Sequence, residues 1–119
     1  MRGLLVRKEK AHAVRRKLLE NNDEFIEEEN RSHTLFLFPT GTGLDYREGK
    51  MVYLVDDSLD EVNFNGRTFA IRGNKESIEK FAPIIESRGM RVDLENPDII
   101  FEIKKWRRKY VISVSSVFR

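Results

Sequence analysis

Hydrophobic positions in this chain switch between two periods. Ile99, Phe101 and Ile103 alternate with Ile100, Glu102 and Lys104, and Tyr110, Ile112 and Val114 alternate with Val111, Ser113 and Ser115. Successive side chains of a strand point to opposite faces, so these runs predict two strands. They should form a hairpin across the basic turn Trp106-Arg107-Arg108-Lys109. Over residues 9–21 the spacing changes to three and four, with Ala11, Val14 and Leu18 on one buried helical stripe. Asn21-Asn22 should stop that helix, because Asn tolerates the left-handed conformation. Ile78, Phe81, Ala82 and Ile85 mark a second helix ending before Gly89. Pro83 inside it predicts a kink, or two short helices meeting near Ala82.

Shorter apolar runs supply the remaining strands. Gly3–Arg7 reads as the first, Thr34–Phe38 as one ending at Pro39, and Met51–Val55 as one closed by Asp56-Asp57-Ser58. Asn65-Gly66 is a tight-turn signal and predicts a hairpin joining Val62-Asn63-Phe64 to Thr68–Ile71. Residues 23–30 are acidic, with Phe25 and Ile26 as apolar anchors, and suit an edge strand or loop. The expected fold class is α/β (α+β), a small mixed sheet with two main helices. It divides into a βαββ segment over residues 1–65 and a second segment over 66–119, either separate or sharing one core.

A chain of 119 residues can bury a working core without staples. It has no cysteine, which excludes disulfides, cysteine-ligated zinc and thiol catalysis. No apolar run approaches a bilayer span, and Leu4-Leu5-Val6 is too short for a signal peptide, so a cytoplasmic protein without membrane contact is expected. The net charge of +2 conceals segregation. Residues 2–17 carry Arg2, Arg7, Lys8, Lys10, Arg15, Arg16 and Lys17 against Glu9 alone, and Lys104, Lys105, Arg107, Arg108 and Lys109 cluster near the C-terminus. Such blocks make local fields that the total hides. They suit a polyanion if folding gathers them onto one continuous surface.

Catalytic signals are weak. Thr40-Gly41-Thr42-Gly43 lacks the third glycine and the Gly-Lys-Ser/Thr end of a phosphate loop, and reads as a turn. Asp56-Asp57 beside Ser58 reads as a turn closing a strand. Glu27, Glu28 and Glu29 are consecutive on an extended segment and do not converge on a metal. His12 and His33 have no third ligand nearby and read as surface histidines. No enzyme activity, cofactor or metal is therefore expected.

The segment Val92, Asp93, Leu94, Asn96, Pro97 and Asp98, followed by two strands about a basic turn, resembles the second half of a THUMP domain. The preceding FAIRGNKESIEKF resembles that family's first strand and the loop entering its helix. The resemblance covers roughly residues 67–117. It makes residues 66–119 a THUMP-like core and residues 1–65 a shortened ferredoxin-like companion. The family places two helices before its first strand, whereas residues 50–66 here read as a strand and a turn.

The resemblance implies binding of tRNA or a related structured RNA. THUMP domains usually present that RNA to a separate catalytic domain, a methyltransferase, thiouridine synthase or deaminase. With Arg119 directly after the last strand, the reading is an RNA-binding adaptor for a tRNA-modification enzyme supplied in trans. Arg72 and Lys75 match the family loop that meets the RNA end, and a helix N-terminus there also favours an anion. Structured RNA displays phosphates and 2′-hydroxyls more readily than base edges, so Arg and Lys can hold it by charge and shape. The candidate RNA-binding residues are Arg15, Arg16, Lys17, Arg72, Lys75, Lys104, Lys105, Trp106, Arg107, Arg108 and Lys109. Trp106 serves either as a stacking platform for a nucleotide or as a core indole. The alternative is a protein-interaction or homodimerisation module, in which an exposed strand pairs with another chain.

Overall fold

Buried stripes and strand alternation sort the chain into two hydrophobic clusters. A computed structural model of the chain describes residues 1–40 and 49–117. They form eight strands and two helices: β1 (Arg2–Arg7), α1 (Lys8–Glu20), β2 (Ile26–Glu29), β3 (His33–Leu37), β4 (Lys50–Val55), β5 (Thr68–Arg72), α2 (Lys75–Glu86), β6 (Arg91–Val92), β7 (Ile99–Trp106) and β8 (Lys109–Ser116). The class is mixed α/β, as the two periods predict. The Thr40–Gly43 turn reading lies mainly outside the described residues. The chain divides into two compact units, Met1–Val52 and Tyr53–Arg119.

In the first unit β3 pairs antiparallel with both β1 and β2. The α1 stripe of Ala11, Val14 and Leu18 is buried against Leu4, Val6, Phe36 and Phe38. Asn22 ends the helix region with φ of 57°, the left-handed conformation that Asn tolerates. β2 pairs along one side only, with β3, and is the acidic edge strand.

In the second unit β7 and β8 form the long hairpin. Ile99 lies opposite Ser116 and Trp106 opposite Lys109, leaving a two-residue turn at Arg107-Arg108. Arg107 takes φ of 56°. β4 pairs antiparallel with β8 through Tyr53–Val55. β5 pairs in parallel with β7 on one side and with the short β6 on the other. A parallel partner requires a crossover, and α2 supplies it. Phe81 and Ile85 of α2 join Phe69, Ile99, Phe101, Ile103, Tyr110 and Ile112 in one core. Phe101 is fully buried and meets Phe64 and Phe69 edge to face at 5.0 and 6.1 Å.

Three local expectations are corrected. Asn65-Gly66 makes no hairpin: Val62–Phe64 is not a strand, and β5 pairs with β6 and β7 in parallel instead. Core burial decides this, since Leu59 and Val62 are buried and Phe64 packs on Phe101. α2 runs through Pro83 as one helix, which excludes the alternative of two short helices. Its buried stripe is Ser77, Phe81 and Ile85, four apart, and Ile78 is exposed. Gly89 follows the helix end with φ of 91° and donates to the Glu86 carbonyl at 2.9 Å.

Removing the Phe101 ring should leave a cavity at the centre of the second unit. Phe101→Ala is expected to cost about 3–5 kcal/mol, measured by urea unfolding. A loss well under that would mean the Phe64–Phe69–Phe101 group is not the packing centre.

Candidate nucleic-acid interface

The register of β5 against β7 decides where the basic residues meet. Arg72, the last residue of β5, lies opposite Glu102 on β7. The chain then passes through Gly73 and Asn74 into α2. Gly73 runs so close to β7 that an added Cβ would sit 2.7 Å from the Ile103 carbonyl oxygen. Asn74 caps α2: its side-chain oxygen accepts from the Ser77 amide at 2.8 Å. The α2 N-terminus is thereby held beside Ile103 and Lys105 of β7.

Seven cations gather at this end of the unit: Arg72, Lys75, Lys104, Lys105, Arg107, Arg108 and Lys109. All seven are exposed. They fringe the end of the sheet from both of its faces, so what they share is one end of the unit rather than one flat face. Strand alternation puts Arg72 and Lys104 on one face with Glu102. Lys105 lies opposite Tyr110, on the face that α2 covers.

Four carboxylates lie among them. Glu76 Oε1 is 3.5 Å from Lys105 Nζ, Asp56 Oδ1 is 3.8 Å from Lys109 Nζ, and Glu79 Oε1 is 3.8 Å from Lys75 Nζ. Glu102 lies opposite Arg72. Among these described residues, seven cations therefore stand with four carboxylates. Arg72, Lys104 and Arg108 make no ion pair among the described residues. Exposed pairs of this kind are typically worth about 0–1 kcal/mol, too little to withhold a lysine from a polyphosphate.

Trp106 is a core side chain, 5% exposed, which corrects the stacking assignment. An indole so enclosed offers no face to a base. Tyr110 is equally enclosed. Its ring meets Phe81 edge to face at 5.0 Å, with Lys80 Nζ 5.0 Å and Lys105 Nζ 5.8 Å from its centroid.

The basic residues of α1 belong to the first unit. Arg15 is committed to Glu27: its Nε and Nη2 donate to the two carboxylate oxygens at 2.7 and 3.0 Å. That bidentate bond raises the Arg15 pKa above its ordinary value. Arg16, Lys17 and Lys10 stand exposed on the same helix. Sequence reasoning had no signal for the Arg15–Glu27 pair, because its members meet only through the packing of α1 beside β2.

The Asp93–Asp98 segment is a braced loop. Asp93 Oδ1 accepts from the Glu95 and Asn96 amides at 3.1 and 2.9 Å. Asp98 Oδ2 accepts from the Arg67 and Thr68 amides at 2.9 and 3.3 Å. The loop exposes Leu94 and walls a cavity of about 290 Å³ with Ala70, Arg72, Asn96, Pro97 and Ile100. Among the described residues, no three His, Asp or Glu side chains converge as metal ligands. No helix of the described residues is long and apolar enough to cross a membrane.

No protein-family model matches the chain, and no curated protein matches it in sequence. Solved structures that share its fold include the following two. One is a 4-thiouridine synthetase in complex with RNA and bound ATP: TM-score 0.63, 18% identity, 98% of this chain and 42% of that one. The other is PH1313 from Pyrococcus horikoshii Ot3: TM-score 0.61, 15% identity, 98% of this chain and 55% of that one. The chain thus spans about half the length of each. At these identities the likeness is one of fold, and it supports the THUMP-like fold implied by the Val92–Asp98 segment.

The Lys80–Asp57 contact gives a pH prediction. Asp57 Oδ1 accepts from Lys80 Nζ at 2.7 Å, and this bond raises the Lys80 pKa above its ordinary value. A raised lysine pKa contributes stability that is complete below the unfolded value and lost as pH rises through the folded one. Side-chain NMR should find Lys80 losing its proton above the ordinary lysine range, with Asp57→Asn returning the midpoint towards that range. An identical Lys80 titration in parent and variant would contradict the pairing.

Proposed function

We propose that this chain is an RNA-binding module for tRNA or a similarly structured RNA, acting as an adaptor for an RNA-modification enzyme supplied in trans. One observation carries the reading. Seven exposed cations meet at the carboxyl ends of β5 and β7, on a fold shared with a synthetase whose structure contains RNA. Arg72 and Arg108 supply planar forks suited to phosphate, and Lys75 and Lys104 supply mobile point charges. With Trp106 enclosed, recognition rests on charge and shape rather than on stacking. Arg16 and Lys17, exposed on α1, are proposed as separate phosphate contacts of the first unit by itself.

A gel-shift titration with bulk tRNA tests this directly. About four phosphate contacts should lower affinity roughly 100-fold between about 50 and 200 mM salt. Arg107→Ala combined with Arg108→Ala should weaken binding about tenfold without unfolding the protein, roughly two lost phosphate contacts at moderate salt. Parent-like binding by that variant would remove the hairpin turn from the interface.

The competing protein-interaction reading is favoured by a different observation. Val92 on edge strand β6 is 51% exposed and Leu94 on the braced loop is 79% exposed. Light scattering of the protein alone separates the two. A dimer dispersed by Leu94→Ser, with no tRNA shift in the gel, would support that second reading.

A further inference from the structure

Glu76 stands at the proposed interface beside Lys105, with the wrong sign for it. It is the second residue of α2, in the first turn, where a carboxylate is favoured by the exposed amides and the helix dipole. The same terminus would attract a phosphate. Glu76 Oε1 is 3.5 Å from Lys105 Nζ and accepts from the Tyr110 hydroxyl at 3.3 Å. Tyr110 is fixed in the core by Phe81, so its hydroxyl holds the carboxylate in position. Yet the Glu76 side chain is 64% exposed and that of Lys105 49% exposed, so an incoming anion can reach and open the contact.

We infer that Glu76 is an internal counterion that occupies Lys105 until a polyanion displaces it, and so sets the affinity and salt dependence of the interface. The inference rests on the RNA-binding reading. A bound RNA takes Lys105 from Glu76 and leaves the carboxylate to recruit a cation from solution. That uptake offsets part of the counterion release that drives association. A single small phosphate gains too little elsewhere to make the exchange, whereas an RNA that also engages Arg72, Lys104 and Arg108 makes it readily. The arrangement therefore favours polymeric over monomeric phosphate ligands.

The test is a set of tRNA titrations of the full chain with Glu76→Gln, Glu86→Gln, Lys105→Ala and the double variant Glu76→Gln with Lys105→Ala. The amide introduced by Glu76→Gln keeps an acceptor for the Tyr110 hydroxyl but loses the charge. Glu86 lies at the far end of α2 and controls for net charge. Glu76→Gln should tighten binding about two- to fivefold beyond Glu86→Gln, the range expected of one exposed ion pair. It should also steepen the slope of log affinity against log salt by up to about 0.9. In the Lys105→Ala background the gain should disappear. If parent protein binds tRNA but Glu76→Gln matches Glu86→Gln, or the gain survives without Lys105, the counterion role is overturned and the RNA reading stands. If parent protein does not bind tRNA, both fall. Inorganic phosphate supplies the last arm: competition against tRNA at comparable phosphate concentration would overturn the preference for polymers.

Discussion

The parallel ladder between β5 and β7 is the constraint on which the second unit depends. Two parallel neighbours cannot be joined by a tight turn, so the chain must leave the end of β5, cross over and return. α2 makes that crossing and buries Phe81 and Ile85 on the way. The closeness of Gly73 to the Ile103 carbonyl fixes where the crossing starts. A side chain there would push the α2 N-terminus away from β7. With glycine, Arg72 comes to share a face with Lys104, and Glu76 comes to lie beside Lys105 on the other, although a long stretch of sequence separates them.

That placement creates a surface of intermediate character. It is basic by excess rather than by exclusion of acids, with Glu76, Asp56, Glu79 and Glu102 set among the cations. Weak exposed ion pairs order long side chains without locking them. The surface is thus kept in reserve by its own carboxylates, while Arg72, Lys104 and Arg108 remain for first contact. Such balance suits reversible binding governed by salt. Behind it, Trp106 and Tyr110, both enclosed, pin the tip of the hairpin on either side of the turn.

Much of the architecture was legible in the chain because its strongest signals are local and repeated. The alternation of Ile99, Phe101 and Ile103 marked β7, the Ala11–Val14–Leu18 stripe marked α1, and Asn22 and Gly89 stopped their helices as their backbone freedom suggests. Failures arose where a local preference met a distant partner. Asn65-Gly66 favours a hairpin, but β5 gains more by lying between β6 and β7, and Val62 and Phe64 are drawn into the core as irregular chain. Ile78 yielded its place to Ser77, since the Asn74 cap fixes the phase at which α2 enters. At the candidate site, the basic run Lys104–Lys109 was readable in the order of the residues, whereas Arg72 and Lys75 were reached only through the family resemblance. The pairings that modulate the cations were not readable, because Glu76 and Lys105, or Arg15 and Glu27, meet only after folding.

The end of the second unit where α2 begins and the β7–β8 hairpin turns is the region proposed to meet a structured RNA. The most direct measurement is a backbone amide NMR titration of the labelled chain with an unlabelled RNA stem carrying a single-stranded end. Shift changes should concentrate on Arg72–Glu76 and Lys104–Lys109 and diminish on raising salt. Saturable changes confined to the acidic edge strand Ile26–Glu29, or silence of those two segments at saturation, would contradict the account.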